Sequence, residues 1–169
     1  VGGHALHPPA ALETLVHLGV LGAGQPDTTI RGFLRAWDPV KQTLAWERDT
    51  SGPWTGTMNA FWNGGGVMSS AGNLLFQGRG TGRLAVLDAT TGEELHSIDV
   101  GASMMAAPMT YQIGKTQYVA ILTGIGGGNG NDHVPGMAAY TYGNQGRLVV
   151  FKLGGGEVPK RPELQPEEA

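Results

Sequence analysis

Hydrophobic and polar positions alternate along most of this chain in short runs, the period of a half-buried strand. In the clearest stretch four runs follow one another: Gly66-Val-Met-Ser-Ser-Ala71, Asn73-Leu-Leu-Phe-Gln-Gly78, Arg83-Leu-Ala-Val-Leu-Asp88 and Glu93-Glu-Leu-His-Ser-Ile-Asp99. Turn chemistry separates them, with Ala-Gly-Asn at 71–73, Gly-Thr-Gly at 80–82 and Thr-Thr-Gly at 90–92. The pattern predicts a small antiparallel sheet of consecutive strands. A following unit predicts strands at Ala106–Gln112, Gln117–Thr123 and Arg147–Leu153, without a fourth. The preceding unit shows Phe33–Trp37 and Thr43–Glu47. Ahead of these the pattern is ambiguous. Leu12, Leu15, Val16 and Leu18 stand at near-helical spacing behind Pro8 and Pro9, while Val16–Leu21 reads equally as a short strand. From Glu157 onward, three prolines and six charges in thirteen residues predict a solvated tail with no core to join.

The units repeat. Gly32-Phe-Leu-Arg-Ala-Trp-Asp38 matches Gly82-Arg-Leu-Ala-Val-Leu-Asp88 and Gly146-Arg-Leu-Val-Val-Phe-Lys152, at spacings of 50 and 64 residues. A period of roughly 40–50 residues carrying several strands is the propeller range. The longer interval contains the glycine-rich stretch from Gly124 to Gly143, which reads as a long loop. The strands make about two and a half four-stranded blades, whereas propellers typically close with about four to eight. Closure is what removes exposed sheet edges. The chain is therefore expected to be an all-β, partial β-propeller, a piece of a larger one. Residues 1–31 are expected to be an N-terminal segment of undetermined structure, the remnant of a preceding blade, 32–155 the repeated blades, and 156–169 a disordered charged, proline-containing tail.

Composition sharpens this picture. Glycine supplies 29 of 169 residues, too many for a helix bundle, in which each interior glycine costs about 1 kcal/mol. The net charge of −3 and the lack of a basic run remove a nucleic-acid footprint. No apolar stretch reaches the ~18 residues of a membrane-spanning helix. The sequence opens at Val1 with no charged and apolar leader pattern, so no signal peptide is visible in it. The absence of cysteine excludes a disulfide framework, a Cys-ligated zinc, an iron–sulfur cluster and a c-type haem attachment site.

Several segments together resemble the quinoprotein dehydrogenases, the propellers that bind pyrroloquinoline quinone (PQQ). Ala36-Trp-Asp-Pro-Val-Lys-Gln-Thr-Leu-Ala-Trp46 resembles their tryptophan-docking repeat. The segments Phe61 to Gly78, Leu84 to Glu94, and Met105 to Tyr111 followed by Gln117 to Ala120 resemble further parts of a blade, in the family's order. The resemblance runs from about Gly32 to Pro159 and is strongest to the methanol/ethanol alcohol dehydrogenases of quinohemoprotein type. It implies a propeller of about eight blades around PQQ and a calcium ion. It also implies oxidation of an alcohol to an aldehyde by hydride transfer to the quinone, transfer of electrons to a cytochrome c, and a periplasmic location. The family's calcium ligands, catalytic base and vicinal disulfide belong to blades upstream of those matched here, so no catalytic residue and no metal ligand is expected in this chain. The fragment alone is expected to be inactive.

Within the docking repeat an aspartate just before a turn can accept the turn's amides, and a tryptophan eight residues on can pack between blades. Trp46 stands eight after Asp38. His96 takes that place after Asp88, where it reads as a smaller packing or hydrogen-bonding group, and Lys152 replaces a third aspartate. Two segments resemble cofactor-contacting parts of the family. In Gly2-Gly-His-Ala-Leu-His-Pro8, Ala5 and Leu6 stand at a quinone-contacting Asn-Trp pair; in Thr123-Gly-Ile-Gly-Gly127, Ile125 stands where an aromatic residue is common, beside Gly126. Trp54, Trp62 and Asn63 lie in a loop entering a blade, read either as blade packing or as part of a substrate mouth.

Other constellations carry less. The run Gly124-Ile-Gly-Gly-Gly-Asn-Gly130 follows a strand but lacks the GxGxxG spacing and a following helix, so it is expected to be a loop on the propeller face. His4 with His7, and Asp132 with His133, do not make four convergent metal ligands. Ser69 and Ser70 lack the strand–elbow–helix context of a hydrolase nucleophile. Met104, Met105 and Met109 are expected to fill core gaps. Two further readings stay open from the residues alone: a binding or scaffold propeller without redox chemistry, and a truncated, degenerate copy.

Overall fold

The computed structural model describes residues 11–17 (backbone only), 31–52, 65–126, 134–144 and 146–164. They form three antiparallel sheets. The first contains β1 (Ala11–His17), β2 (Arg31–Asp38) and β3 (Thr43–Asp49), in the order β1-β2-β3. The second is a four-stranded meander of β4 (Val67–Ser69), β5 (Leu74–Gly78), β6 (Arg83–Asp88) and β7 (Glu94–Asp99). The third contains β8 (Met109–Ile113), β9 (Thr116–Leu122) and β10 (Leu148–Lys152), in the order β10-β9-β8. This is the partial β-propeller the repeat predicts, with the second sheet as its complete blade.

Burial follows the strand period. In β2, Gly32, Leu34 and Ala36 are buried while Arg31 and Trp37 are exposed. The middle sheet is covered on both faces, so the four central residues of β6, Leu84 to Leu87, are all apolar. Ala85 and Leu87 join Leu34 and Leu75 on the side of the first sheet. Leu84 joins Met104 and Ile121 on the side of the third. Full burial of a leucine of this kind is worth about 2 kcal/mol, and these two clusters hold the sheets together.

The repeat extends to a backbone irregularity. The β2–β3 register shifts between Ala36 and Trp37, and the β6–β7 register shifts between Val86 and Leu87, at equivalent places. Each bulge is followed at once by the docking position: Ala36 pairs with Trp46, and Val86 pairs with His96.

The structure corrects the sequence reading in four places. Residues 11–17 are a strand and not a near-helical segment, and pair with β2 along seven residues from Ala11↔Trp37 to His17↔Arg31, while residues 18–21 lie outside the described residues. That ladder satisfies backbone groups that local spacing could not assign, and it gives the first sheet a third strand. Second, the described residues of the loop from Gly124 to Gly143 include a helical turn, α1 (Ala138–Tyr142). Met137, Ala138 and Ala139 are buried there, and Gly143, at φ +81°, ends the turn by donating its N–H to the Ala139 carbonyl at 2.9 Å. Third, Met109 is exposed, unlike Met104 and Met105, because every residue of edge strand β8 is exposed.

Fourth, the segment read as a solvated tail lies against the seam between the second and third sheets as far as Leu164. Val158 packs on the cluster around Leu84 and Met104. Lys160 Nζ pairs with Asp99 Oδ2 at 2.5 Å, and the Leu164 N–H donates to the Thr141 carbonyl at 2.8 Å. Among the described residues no helix is long and apolar enough to cross a membrane.

Candidate functional site

Two places bear on function: the docking seam between the first two sheets and the glycine turn after β9. The seam begins with the aspartates that end β2 and β6. Asp38 Oδ1 accepts the N–H groups of Val40 and Lys41, both at 3.0 Å. Asp88 Oδ1 accepts those of Thr90 and Thr91 at 2.7 and 2.9 Å. The Lys41 amide holds Asp38 below the usual carboxylate range, and the amides of Thr91 and Thr90 do the same for Asp88. Asn73 Nδ2 donates to Asp88 Oδ2 at 3.2 Å, so the turn is tied to the β4–β5 turn as well.

Trp46 then crosses the seam. Its indole Nε1–H donates to the Ala89 carbonyl at 3.0 Å. Its ring covers Gly92, where an added Cβ would lie 2.6 Å from Cε3. Gly92 also has φ +74°, so the turn needs glycine both for its backbone conformation and for the approach of the ring. Arg48 Nη1 donates to the Gly92 carbonyl at 3.1 Å, while Glu94 Oε2 receives Arg79 at 2.8 Å and Arg48 at 3.4 Å. The docking expected of Trp46 is thus present in detail.

The glycine turn is anchored from three sides. Ser103, fully buried, donates its hydroxyl to the Gly80 carbonyl at 2.6 Å and accepts the Ala139 N–H at 3.0 Å, while its own carbonyl accepts the Gly124 N–H at 2.6 Å. Asn144 Oδ1 accepts the Ile125 N–H at 2.9 Å, and Asn144 Nδ2 donates to the Gly126 carbonyl at 3.3 Å. Thr123 Oγ1 exchanges hydrogen bonds with the Arg147 backbone at 3.1 and 3.2 Å. Ile125 is turned into an apolar cluster with Val134, Met137 and Ala139. Gly126 is exposed at φ +77°, with no atom within 4 Å of an added Cβ. Met105, Thr123, Gly126 and Arg147 are among the residues that line a cleft of about 590 Å³ beside this turn.

Sequence reasoning reached Ile125 and Gly126 but not Asn144, which bonds both, or Ser103, which bonds the neighbouring Gly124. Single small polar residues give no periodic signal, and their partners lie 18 to 36 positions away. Of the other candidates, Ala5, Leu6, Trp54, Trp62, Asn63, His4, His7, Asp132 and His133 lie outside the described residues. His96 is exposed at the seam of the second and third sheets. Ser70 Oγ is taken up by the backbone of Leu74, in a turn.

PQQ and calcium can be tested against this cleft. A planar, multiply anionic quinone needs cationic or amide donors, and calcium needs several oxygen ligands. The guanidinium of Arg147 is already committed to the carbonyls of Pro159 and Val100, both at 2.7 Å. Among the described residues no group of three acidic or histidine side chains converges on a common point. The described residues therefore do not by themselves hold either group.

Residues 32–119 match the family described as PQQ: Glucose/ethanol/alcohol dehydrogenase, beta-propeller domain. The chain is 38% identical over 135 residues to the quinohemoprotein alcohol dehydrogenase ADH IIB of Pseudomonas putida, covering 77% of this chain and 18% of that protein. It is 40% identical over 135 residues to lupanine 17-hydroxylase [cytochrome c] of a Pseudomonas species, again covering 78% of this chain and 18% of the relative. The crystal structure of quinohemoprotein alcohol dehydrogenase from Comamonas testosteroni superposes with a TM-score of 0.60 at 33% identity, over 85% of this chain and 19% of that one. The chain thus spans about a fifth of the length of these relatives. Strand order, docked turns and relatives agree, and the chain belongs to the family of PQQ-dependent alcohol dehydrogenase β-propellers.

Proposed function

We propose that this chain is the C-terminal part of a PQQ- and calcium-dependent alcohol dehydrogenase. The complete enzyme oxidises an alcohol to an aldehyde with the quinone as hydride acceptor, and passes the electrons to a cytochrome c in the periplasm. The observation that carries this reading is the docked Trp46, whose indole bonds Ala89 and covers Gly92 inside the segment matched to the family. A carboxylate-capped turn with an indole across it is a blade-to-blade fastener, so the segment is fitted to a row of similar blades.

The part played by this segment is support. Ser103, Asn144 and Thr123 fix the turn carrying Gly126, and Ile125 backs it with an apolar cluster. In this reading Gly126 and residues 5, 6, 62 and 63 form part of the cofactor and substrate rim, while the proton acceptor and the calcium ligands come from other blades.

The test compares the 169-residue chain with the complete gene product, each supplied with PQQ and calcium, by alcohol-dependent dye reduction and by quinone binding. Calcium-dependent quinone binding and dye reduction by the complete product, with no turnover by the 169-residue chain, are expected. A complete product that neither binds quinone nor reduces dye would overturn the enzyme reading in favour of a scaffold propeller or a degenerate copy.

A further inference from the structure

The C-terminal segment covers the seam between the second and third sheets and then reaches the helical turn behind Gly126. After β10 the chain closes a tight turn, with the Gly155 N–H on the Lys152 carbonyl at 3.1 Å and Gly154 at φ +69°. It then comes back to Arg147, just ahead of β10. Arg147 Nη1 donates to the Pro159 carbonyl and Nη2 to the Val100 carbonyl, so one guanidinium clamps the segment to the residue after β7. Lys160 crosses the same seam. Its Nζ donates to Asp99, and its stem lies against Gly101, where an added Cβ would be 3.1 Å from Cγ.

Beyond Lys160 the segment meets α1. A helix of one turn has no stability of its own, and its last carbonyls find no partner inside it. The Leu164 N–H supplies a donor to the Thr141 carbonyl at 2.8 Å, and the Leu164 side chain lies beside Gly143, with Cδ1 3.9 Å from the place of an added Cβ. The start of α1 is held by the second sheet and the segment after it. The Ala138 N–H donates to the Gly80 carbonyl and the Ala139 N–H to Ser103 Oγ, both at 3.0 Å. So α1 is fixed at its start from the middle blade and at its end by the C-terminal segment. The residue after Gly143 is Asn144, whose side chain accepts the Ile125 N–H and donates to the Gly126 carbonyl. Both of those bonds depend on where the end of α1 lies.

We propose that residues 158–164 are a positioning strap: they fix the end of α1, and through Asn144 they fix the backbone of Ile125 and Gly126. Lys160 and Leu164 are its positioning residues, the first pinning the strap to the blade and the second joining it to α1. A site backbone is only as fixed as the contacts behind it. The importance of the strap for a bound ligand rests on the reading that Gly126 belongs to the cofactor and substrate rim.

Amide hydrogen exchange of the complete gene product, followed by mass spectrometry, tests the strap. Leu164→Pro removes the N–H that Thr141 accepts and leaves Val158 and Lys160 in place. It is expected to speed exchange over residues 123–126 about tenfold or more, with exchange at Leu84 to Leu87 in β6 unchanged. Lys160→Met is expected to speed exchange over the same residues, and Lys160→Arg to restore the parent rate. The proposal is overturned if L164P leaves residues 123–126 at the parent rate, or if β6 speeds up to the same extent, because the effect is then global. Should L164P fail to fold, K160M and K160R decide by the same criterion. Quinone affinity of the same variants tests the rim separately: faster exchange with affinity unchanged supports the strap and removes the turn from the rim.

Discussion

Replacing Gly92 with alanine tests whether the indole of Trp46 and the turn beneath it act as one fastener. The substitution does two separable things. It places a side chain on a residue at φ +74°, which costs about 1–2 kcal/mol for any L-residue other than glycine. It also puts Cβ at 2.6 Å from Cε3 of Trp46, a distance at which the ring must move. Moving the ring breaks the 3.0 Å bond from Nε1 to Ala89, worth about 1 kcal/mol. It further uncovers part of the apolar surface of the half-buried ring, about another 1 kcal/mol for roughly 40 Å². The whole change therefore costs about 3–4 kcal/mol. In a Trp46→Ala background only the backbone part remains, about 1–2 kcal/mol. Urea unfolding of the parent, G92A, W46A and the double variant closes a cycle whose coupling is expected near 2 kcal/mol. If G92A costs the same in both backgrounds to within about 0.5 kcal/mol, ring and turn are independent and the fastener argument fails.

Three further outcomes are expected. Asp88 is held below its ordinary value by the amides of Thr91 and Thr90, so its contribution is complete above its unfolded pKa of about 3.9 and is lost as pH falls through the lower folded value. Asp88→Asn should therefore flatten the acid limb of a urea-midpoint profile taken between about pH 2 and 6. Lys160 is raised by its bond to Asp99, so its contribution is present below its unfolded pKa of about 10.4 and is lost as pH rises through the higher folded value. Lys160→Met should flatten the alkaline limb, and faster hydrogen exchange at the Leu164 amide would report release of the segment. Gln77 is fully buried and neither amide atom has a partner among the described residues, so Gln77→Met should raise stability by about 1–2 kcal/mol in urea unfolding; a loss would mean that the amide has a partner outside them.

What could be read from the sequence was whatever repeats. The match of Gly32–Asp38 to Gly82–Asp88 located β2 and β6, and with them the aspartate turns and Trp46, because the same local chemistry occurs twice at equal offsets. β1 was not legible: its leucines suit a helix as well as a strand, and pairing with β2 decides between them. The C-terminal segment was misjudged for a related reason. Its composition is that of a solvated tail, but one valine on the core, one lysine on Asp99 and one amide on Thr141 are enough to hold it to the sheets. At the glycine turn, sequence could mark the flexible residues but not the rigid ones. Ser103 and Asn144 each act through two bonds to distant backbone groups, and nothing local distinguishes them from surface serine or asparagine.

The bulges at Ala36/Trp37 and Val86/Leu87 have a consequence for how such a chain can change. One extra residue in the outer strand sets the direction of the next side chain through the backbone, before that side chain touches anything. Trp46 and His96 are aimed by the same device although only one of them reaches across. Aim and grip are therefore separate properties of a blade. Substitution at the docking position can loosen or tighten one seam at a time while the path of the strands stays as it was.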